Sequence, residues 1–549
     1  MLGASTAVLV ALTGFSQVGA SATTHALAAS MTMKRAIANE KPLVILASPV
    51  GPWTDNFSPW SNEVGDTGQI GLIYQPLEYF DAVTTAKVPL LSTGYSWSNG
   101  YKTLTANLRH GVKWSNGSAF TSADVVFTFQ ELKKYPDADG NGDWNVLSSV
   151  VAKGPYQVQF NFKTVNVPYA SYILGQYIIP KQQFANLGDP TKAIIKNPIG
   201  TGPYILQSFN SQDITYYANP QYWGGEPAVR TVEYPAFSGN DSADLALAKS
   251  QVDWAGIFIP SIQAVYASKS PYHKYWFPAG DVTMLYTNMS VPGLNDYAVR
   301  EAMSLAINRT QLANEGEYGY TTVALPSGLL PSQVSEWQAS GLPSAFTMND
   351  QKAEQILMKA GYKKDSSGIF AKDGKELSFT MQVPTGWTDW DTDVSLMTQE
   401  MAQVGIKIVP EVEAQSTYFS NIFSPKKQYQ LVISWTNPGP SPFFLFNSMF
   451  NPKGGSFNES EVNNPQVTTA LTQFSSSGSL AVQKSALAVM QKYLATQLPG
   501  LPLFYGSTWY EYNDQNYTGW PTAANPYIDP APYNSVSQAI VLMHLKPRT

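Results

Sequence analysis

The stretch at residues 104–129, LTANLRHGVKWSNGSAFTSADVVFTF, permits few local structures. Leu104, Ala106 and Leu108 alternate with Thr105, Asn107 and Arg109, the period-two pattern of a half-buried strand. His110-Gly111 offers a turn, Val112-Lys113-Trp114 a short second run, and Ser115-Asn116-Gly117-Ser118 a hairpin-type turn. Thr121 stands three residues before Asp124, the spacing at which a helix cap and an acid satisfy each other's backbone N–H groups. Val125, Val126, Phe127 and Phe129 supply the apolar face of the helix that follows. Local physics therefore gives a strand–turn–helix unit of an α/β domain.

A chain of 549 residues is too long for one core, and two or three domains are expected. The formal charge of −6 argues against a nucleic-acid partner, which calls for a basic patch. The absence of cysteine excludes disulfides, thiolate metal sites, a cysteine nucleophile and a lipid-modified cysteine anchor. Residues 4–15 form a short apolar run and Ala26-Leu27-Ala28 a cleavage site, so residues 1–28 read as an export leader, though no Lys or Arg precedes the run. No other stretch approaches the roughly eighteen apolar residues of a membrane span. No G-x-S-x-G, H-E-x-x-H, phosphate-loop or dinucleotide motif occurs, and His25, His110, His273 and His544 are scattered. An enzyme is not expected; a glycosidase pair drawn from the 40 acidic residues is the remote alternative. Asp137, Asp139, Asn141, Gly142 and Asp143 fall on calcium-loop positions, but Ser148 stands where the bidentate Glu belongs, so a solvated acidic turn is expected.

Further words follow in a fixed order. Asn197-Pro198-Ile199-Gly200-Thr201-Gly202-Pro203-Tyr204 comes first, then Asn219-Pro220 and Tyr222-Trp223-Gly224-Gly225. Asp296, Val299-Arg300, Ala302 and Ala306-Ile307-Asn308-Arg309 then mark a buried helix. With the opening stretch, this order resembles the oligopeptide-type solute-binding proteins, the extracellular receptors that feed ABC importers. The resemblance runs through nearly all of the chain after residue 40. It implies an α/β fold of the periplasmic-binding-protein type II-like class: a two-lobed clam-shell with an additional inserted subdomain. Lobe I would comprise residues 41–71, 196–284 and 506–549, the inserted subdomain 72–195, and lobe II 285–505. It also implies a monomer without cofactor that hands a small-molecule ligand to membrane permease subunits.

The candidate ligand residues are rings and amides on loops after strands. The loop at residues 49–59, with Trp60 beside it, offers Asn56, Phe57 and Trp60, at a position where the resembled family touches ligand. Trp254 and Trp387 sit on two further loops, and Trp435 and Asn437 on a third, WTNPGPSP at residues 435–442. In peptide-binding relatives an Asp three residues after that Trp holds the peptide amine; here the position is Pro438, with neither charge nor backbone donor. An ammonium buried without its carboxylate costs several kcal/mol, on the order of 3–5. Asn437 can donate to and accept from hydroxyls. The ending at residues 519–532 resembles that of cellobiose-type members. The preferred ligand is thus an oligosaccharide, and the alternative a peptide.

Overall fold

The computed structural model describes residues 41–47, 52–61, 70–237, 239–424, 426–437, 439–452 and 458–549. The expected leader and Pro438 lie outside the described residues. Leu43–Leu46 is the apolar run LVIL, and it becomes an inner strand flanked in parallel by Thr231–Pro235 and Trp254–Ala255. Outward from these three lie Asp213–Ala218 and Tyr204–Asn210 on one side, and Glu511–Asn513 and His273–Tyr275 on the other, making a seven-stranded sheet. The Gly-Thr-Gly motif that precedes Tyr204 has a steric cause: a Cβ on Gly200 would lie 1.9 Å from the Ile73 carbonyl oxygen, and one on Gly202 2.2 Å from that of Leu72.

The opening sequence stretch folds largely as its pattern requires. Thr103–Leu108 pairs with Ser92–Ser98 and Gln157–Phe162 in a four-stranded antiparallel sheet, with Leu104, Ala106 and Leu108 buried. The helix Ser122–Lys134 begins on a complete capping box between Thr121 and Asp124. Its core is continuous with that of the seven-stranded sheet. After Ile70–Ile73 the helix stops; Pro76 lacks the N–H to continue it, and Glu78–Phe80 is a strand. The acidic loop is solvated only in part: Asp137 and Gly140 are exposed, whereas Asp143 is not. The Asp139 carboxylate accepts from the Asp143 and Trp144 N–H groups at 2.8 and 2.9 Å, and the Asp143 side chain is wholly buried.

A five-stranded sheet has its own core, extending from Val282 to Tyr505. Its order is Lys407–Glu413, Ser378–Pro384, Leu431–Ser434, Ala279–Thr287, Gly500–Ser507. The chain passes between the two larger sheets twice, after His273–Tyr275 and again after Gly500–Ser507. The two crossings run side by side: Thr508 N–H donates to the Pro278 carbonyl at 2.8 Å and Trp276 N–H to that of Tyr510 at 3.1 Å. The second sheet starts at Ala279, ahead of the boundary at residue 284 set by the motifs. Two lobes joined by one paired two-strand hinge are the outcome.

Candidate ligand-binding cleft

A cavity of about 450 Å³ lies where the hinge strands meet both lobes. The first lobe contributes Gly256, Ile257 and Phe258, which follow the strand Trp254–Ala255, together with Tyr533. Asp281, Thr283, Phe504 and Trp509 come from the hinge strands and the crossing after them. The second lobe adds Glu317, Trp387, Asp389, Trp390 and Trp435. A further cavity of about 380 Å³ also has Trp435 in its wall; Tyr172 and Asn141 of the inserted subdomain face Tyr286, Asn437 and Glu459 there. Both volumes are in the range of small-molecule sites.

The indoles form one platform. Trp435 follows the buried strand Leu431–Ser434, and Trp387 follows Ser378–Pro384 through Gly386, whose φ of 83° permits the turn. Their rings stack at 5.7 Å and 27°, and Trp390 stands 4.9 Å from Trp387 at 64°. Trp387 and Trp435 keep part of their surface open. Asn437 is exposed, and its amide donates to the Tyr172 hydroxyl at 3.4 Å.

The other four sequence candidates are buried in the first lobe and line neither cavity. Trp254 is wholly buried within its strand; its indole N–H donates to the Pro530 carbonyl at 3.1 Å and its ring meets Trp520 at 5.4 Å. Phe57 is held between Phe209 and Tyr216 at 6.0 and 6.4 Å, and Trp60 packs on Phe184 at 6.2 Å. The Asn56 amide oxygen accepts from the N–H groups of Ser58 and Ile195, which fixes the loop internally. No face of these rings lines either cavity.

Sequence reasoning missed the acids. Asp281, Glu317 and Asp389 line the larger cavity, and Asp393 stands behind them. Burial pushes the Asp281 carboxyl up to about 7 and that of Asp389 up to about 6. Glu317 is raised well above the usual range by burial first and then by the charges of Asp389, Asp393 and Asp281. Burial and Asp389 raise Asp393, which hydrogen-bonds the Glu317 carboxyl. Asp389 stood inside an aromatic motif that drew attention to its rings; Glu317, in the run Asn314-Glu315-Gly316-Glu317, carried no signal.

Comparison with known proteins supplies the lineage. Residues 87–457 match the model of the bacterial extracellular solute-binding proteins, family 5. The oligopeptide-binding protein AppA of Bacillus subtilis is 26% identical over 432 residues, covering 75% of this chain and 77% of its own. The nickel-binding periplasmic protein of Escherichia coli is 25% identical over 386 residues, 67% and 71% of the two chains. A mannohexaose-bound periplasmic oligopeptide-binding protein of Thermotoga maritima superposes with a TM-score of 0.81 at 25% identity, over 93% of this chain and 99% of that one. No helix among the described residues is long and apolar enough to cross a membrane. The chain belongs to the bacterial extracellular solute-binding proteins of family 5, the clam-shell receptors of ABC importers.

Proposed function

We propose that this receptor captures an oligopeptide in the cleft and delivers it, as a monomer, to membrane permease subunits. The carrying observation is the wall of the larger cavity. Three carboxyls and a set of aromatic rings line it, and no Lys, Arg or His does so among the described residues. A ligand bearing an amine complements such a wall, because its charge compensates the carboxylate form that burial disfavours. The amine therefore does not depend on an acid at position 438. The cleft has carboxyls at Asp281, Glu317 and Asp389 instead. The oligopeptide-binding relative supports the same choice.

A second reading keeps the oligosaccharide. The stacked Trp387–Trp435 platform suits the apolar face of a sugar ring, and a mannohexaose-bound relative supports it. A thermal-shift screen of the full chain against tri- to pentapeptides and against β-linked and mannose oligomers separates the two. Ligand at a hundredfold excess over Kd raises stability by about 2.7 kcal/mol. A rise with peptides and none with sugars is the expected result. The reverse pattern transfers the assignment to oligosaccharide.

A further inference from the structure

The floor of the larger cavity is shaped to hold carboxyls. Glu317, 1% exposed, follows the π-helical turn Leu312–Gly316, and its side chain meets Asp393, 0% exposed, from the helix Thr388–Gln403. Their approach depends on Gly316, where a Cβ would lie 2.0 Å from Asp393 Oδ1. Asp281 depends in the same way on Gly506, where a Cβ would lie 2.3 Å from its Oδ1. Two glycines on two elements thus make room for two carboxyls.

These acids lack the partners that a structural role provides. Beyond the contact between Glu317 and Asp393, no donor among the described residues reaches Glu317 Oε1, either Asp393 oxygen or Asp281 Oδ1. Buried charged groups retained for the fold alone are paired or hydrogen-bonded. Arg309 does not serve them: its guanidinium donates to the Pro502 carbonyl at 2.6 Å and to that of Ser304 at 2.9 Å, and its charge acts on Glu400. No group of three His, Cys, Asp or Glu among the described residues could hold a metal ion, which argues against an inorganic cation. The rings of Trp387, Trp390 and Trp435 beside the acids offer negative faces.

We propose that this pocket is a subsite for one cationic side chain of the bound ligand, an ammonium or guanidinium held by Glu317, Asp389 and Asp281 against the indoles. The inference rests on the reading of this cleft as a peptide site and adds a preference for basic peptides. The raised carboxyls have a further consequence: seating the cation expels protons that the empty pocket retains near neutral pH.

Isothermal titration of the full chain at pH 7 with tetrapeptides of alanine, carrying one lysine or arginine at each position in turn, tests it against norleucine counterparts. At one position the basic peptide binds at least about tenfold more tightly, as a charge-assisted hydrogen bond gives. Binding heats that vary with the buffer's ionisation enthalpy report the released protons. Glu317→Gln and Asp389→Asn remove the preference, and Asp281→Asn on the hinge strand checks it from another element; each melting midpoint establishes that the variant is folded. Norleucine peptides binding as tightly as their lysine counterparts overturn the inference and leave the peptide reading standing. Tetra-alanine equal to every lysine peptide assigns the pocket to the terminal amine and equally overturns it. No binding by any peptide overturns both.

Discussion

Trp435 and Trp254 show what residue type alone conveys and where it stops. Both are tryptophans on a strand, or directly after one, near the middle of a sheet, and residue type alone does not tell them apart. Trp435 is the first residue beyond its strand and is partly open, whereas Trp254 lies within a strand with neighbours on both edges and is wholly buried. The two variants therefore diverge. Trp254→Ala leaves a large cavity in the first-lobe core and costs about 3–5 kcal/mol in denaturant unfolding, with ligand affinity of the folded fraction retained. Trp435→Ala removes a face of the cleft; titration with the best ligand should show a loss of about 1–2 kcal/mol with little change in melting midpoint. Equal destabilisation by both would contradict the placement of Trp435. Asn437 was legible as a polar group beside that ring, but its contact with Tyr172 across 265 residues was not, because no local pattern encodes it.

At the scale of elements, local rules succeeded wherever the physics is local. Thr121 and Asp124 satisfy each other's backbone within one turn, so the capping box could be read directly. The acidic floor was illegible because it joins a π-helical turn, a hinge strand and a helix start that lie far apart in the chain. Its pH behaviour follows from those elements. Asp389, at the start of Thr388–Gln403, is raised from 3.8 to about 6 by burial, with Asp391 adding to the shift and the Trp390 N–H opposing it. Asp281 and Glu317 face the same space, with Asp393 behind Glu317, Glu400 beyond Asp393 and Arg309 beside Glu400. A carboxyl raised in the fold contributes stability that is complete below its unfolded pKa and is lost as pH rises through the folded one. The Asp389 contribution, about 3 kcal/mol, should therefore fade between pH 4 and roughly 7 in the empty protein. Melting midpoints of Asp389→Asn should be flatter than wild type across that window. Affinity for a cationic peptide should move the opposite way, strengthening as the carboxyls ionise. A wild-type midpoint that tracks the variant's at every pH would remove Asp389 from the set of raised groups.

Among the described residues two large cores, with a smaller one around Leu247 and Ile259, are joined at one paired hinge. The core that includes Val282, Met381 and Leu501 is separate from the one that includes Leu43, Leu104 and Val541, and Tyr172 packs against both. Among the described residues two stretches of chain connect them, and these pair with each other, so little covalent linkage obliges the lobes to unfold together. Cooperativity between lobes then depends on what fills the cleft. The larger cavity takes walls from both lobes, and a ligand seated there gains contacts that exist only while both are folded. Without ligand, urea unfolding followed by tryptophan fluorescence and by far-ultraviolet circular dichroism should give transitions that do not coincide. With saturating ligand the less stable lobe gains the full binding term, about 2.7 kcal/mol at a hundredfold excess over Kd, and the two curves should merge. The Glu317→Gln variant sharpens the test, since weaker binding should leave the transitions apart at the same ligand concentration. Coincident curves in the absence of ligand would mean that the hinge and the Tyr172 contact alone couple the lobes into one cooperative unit.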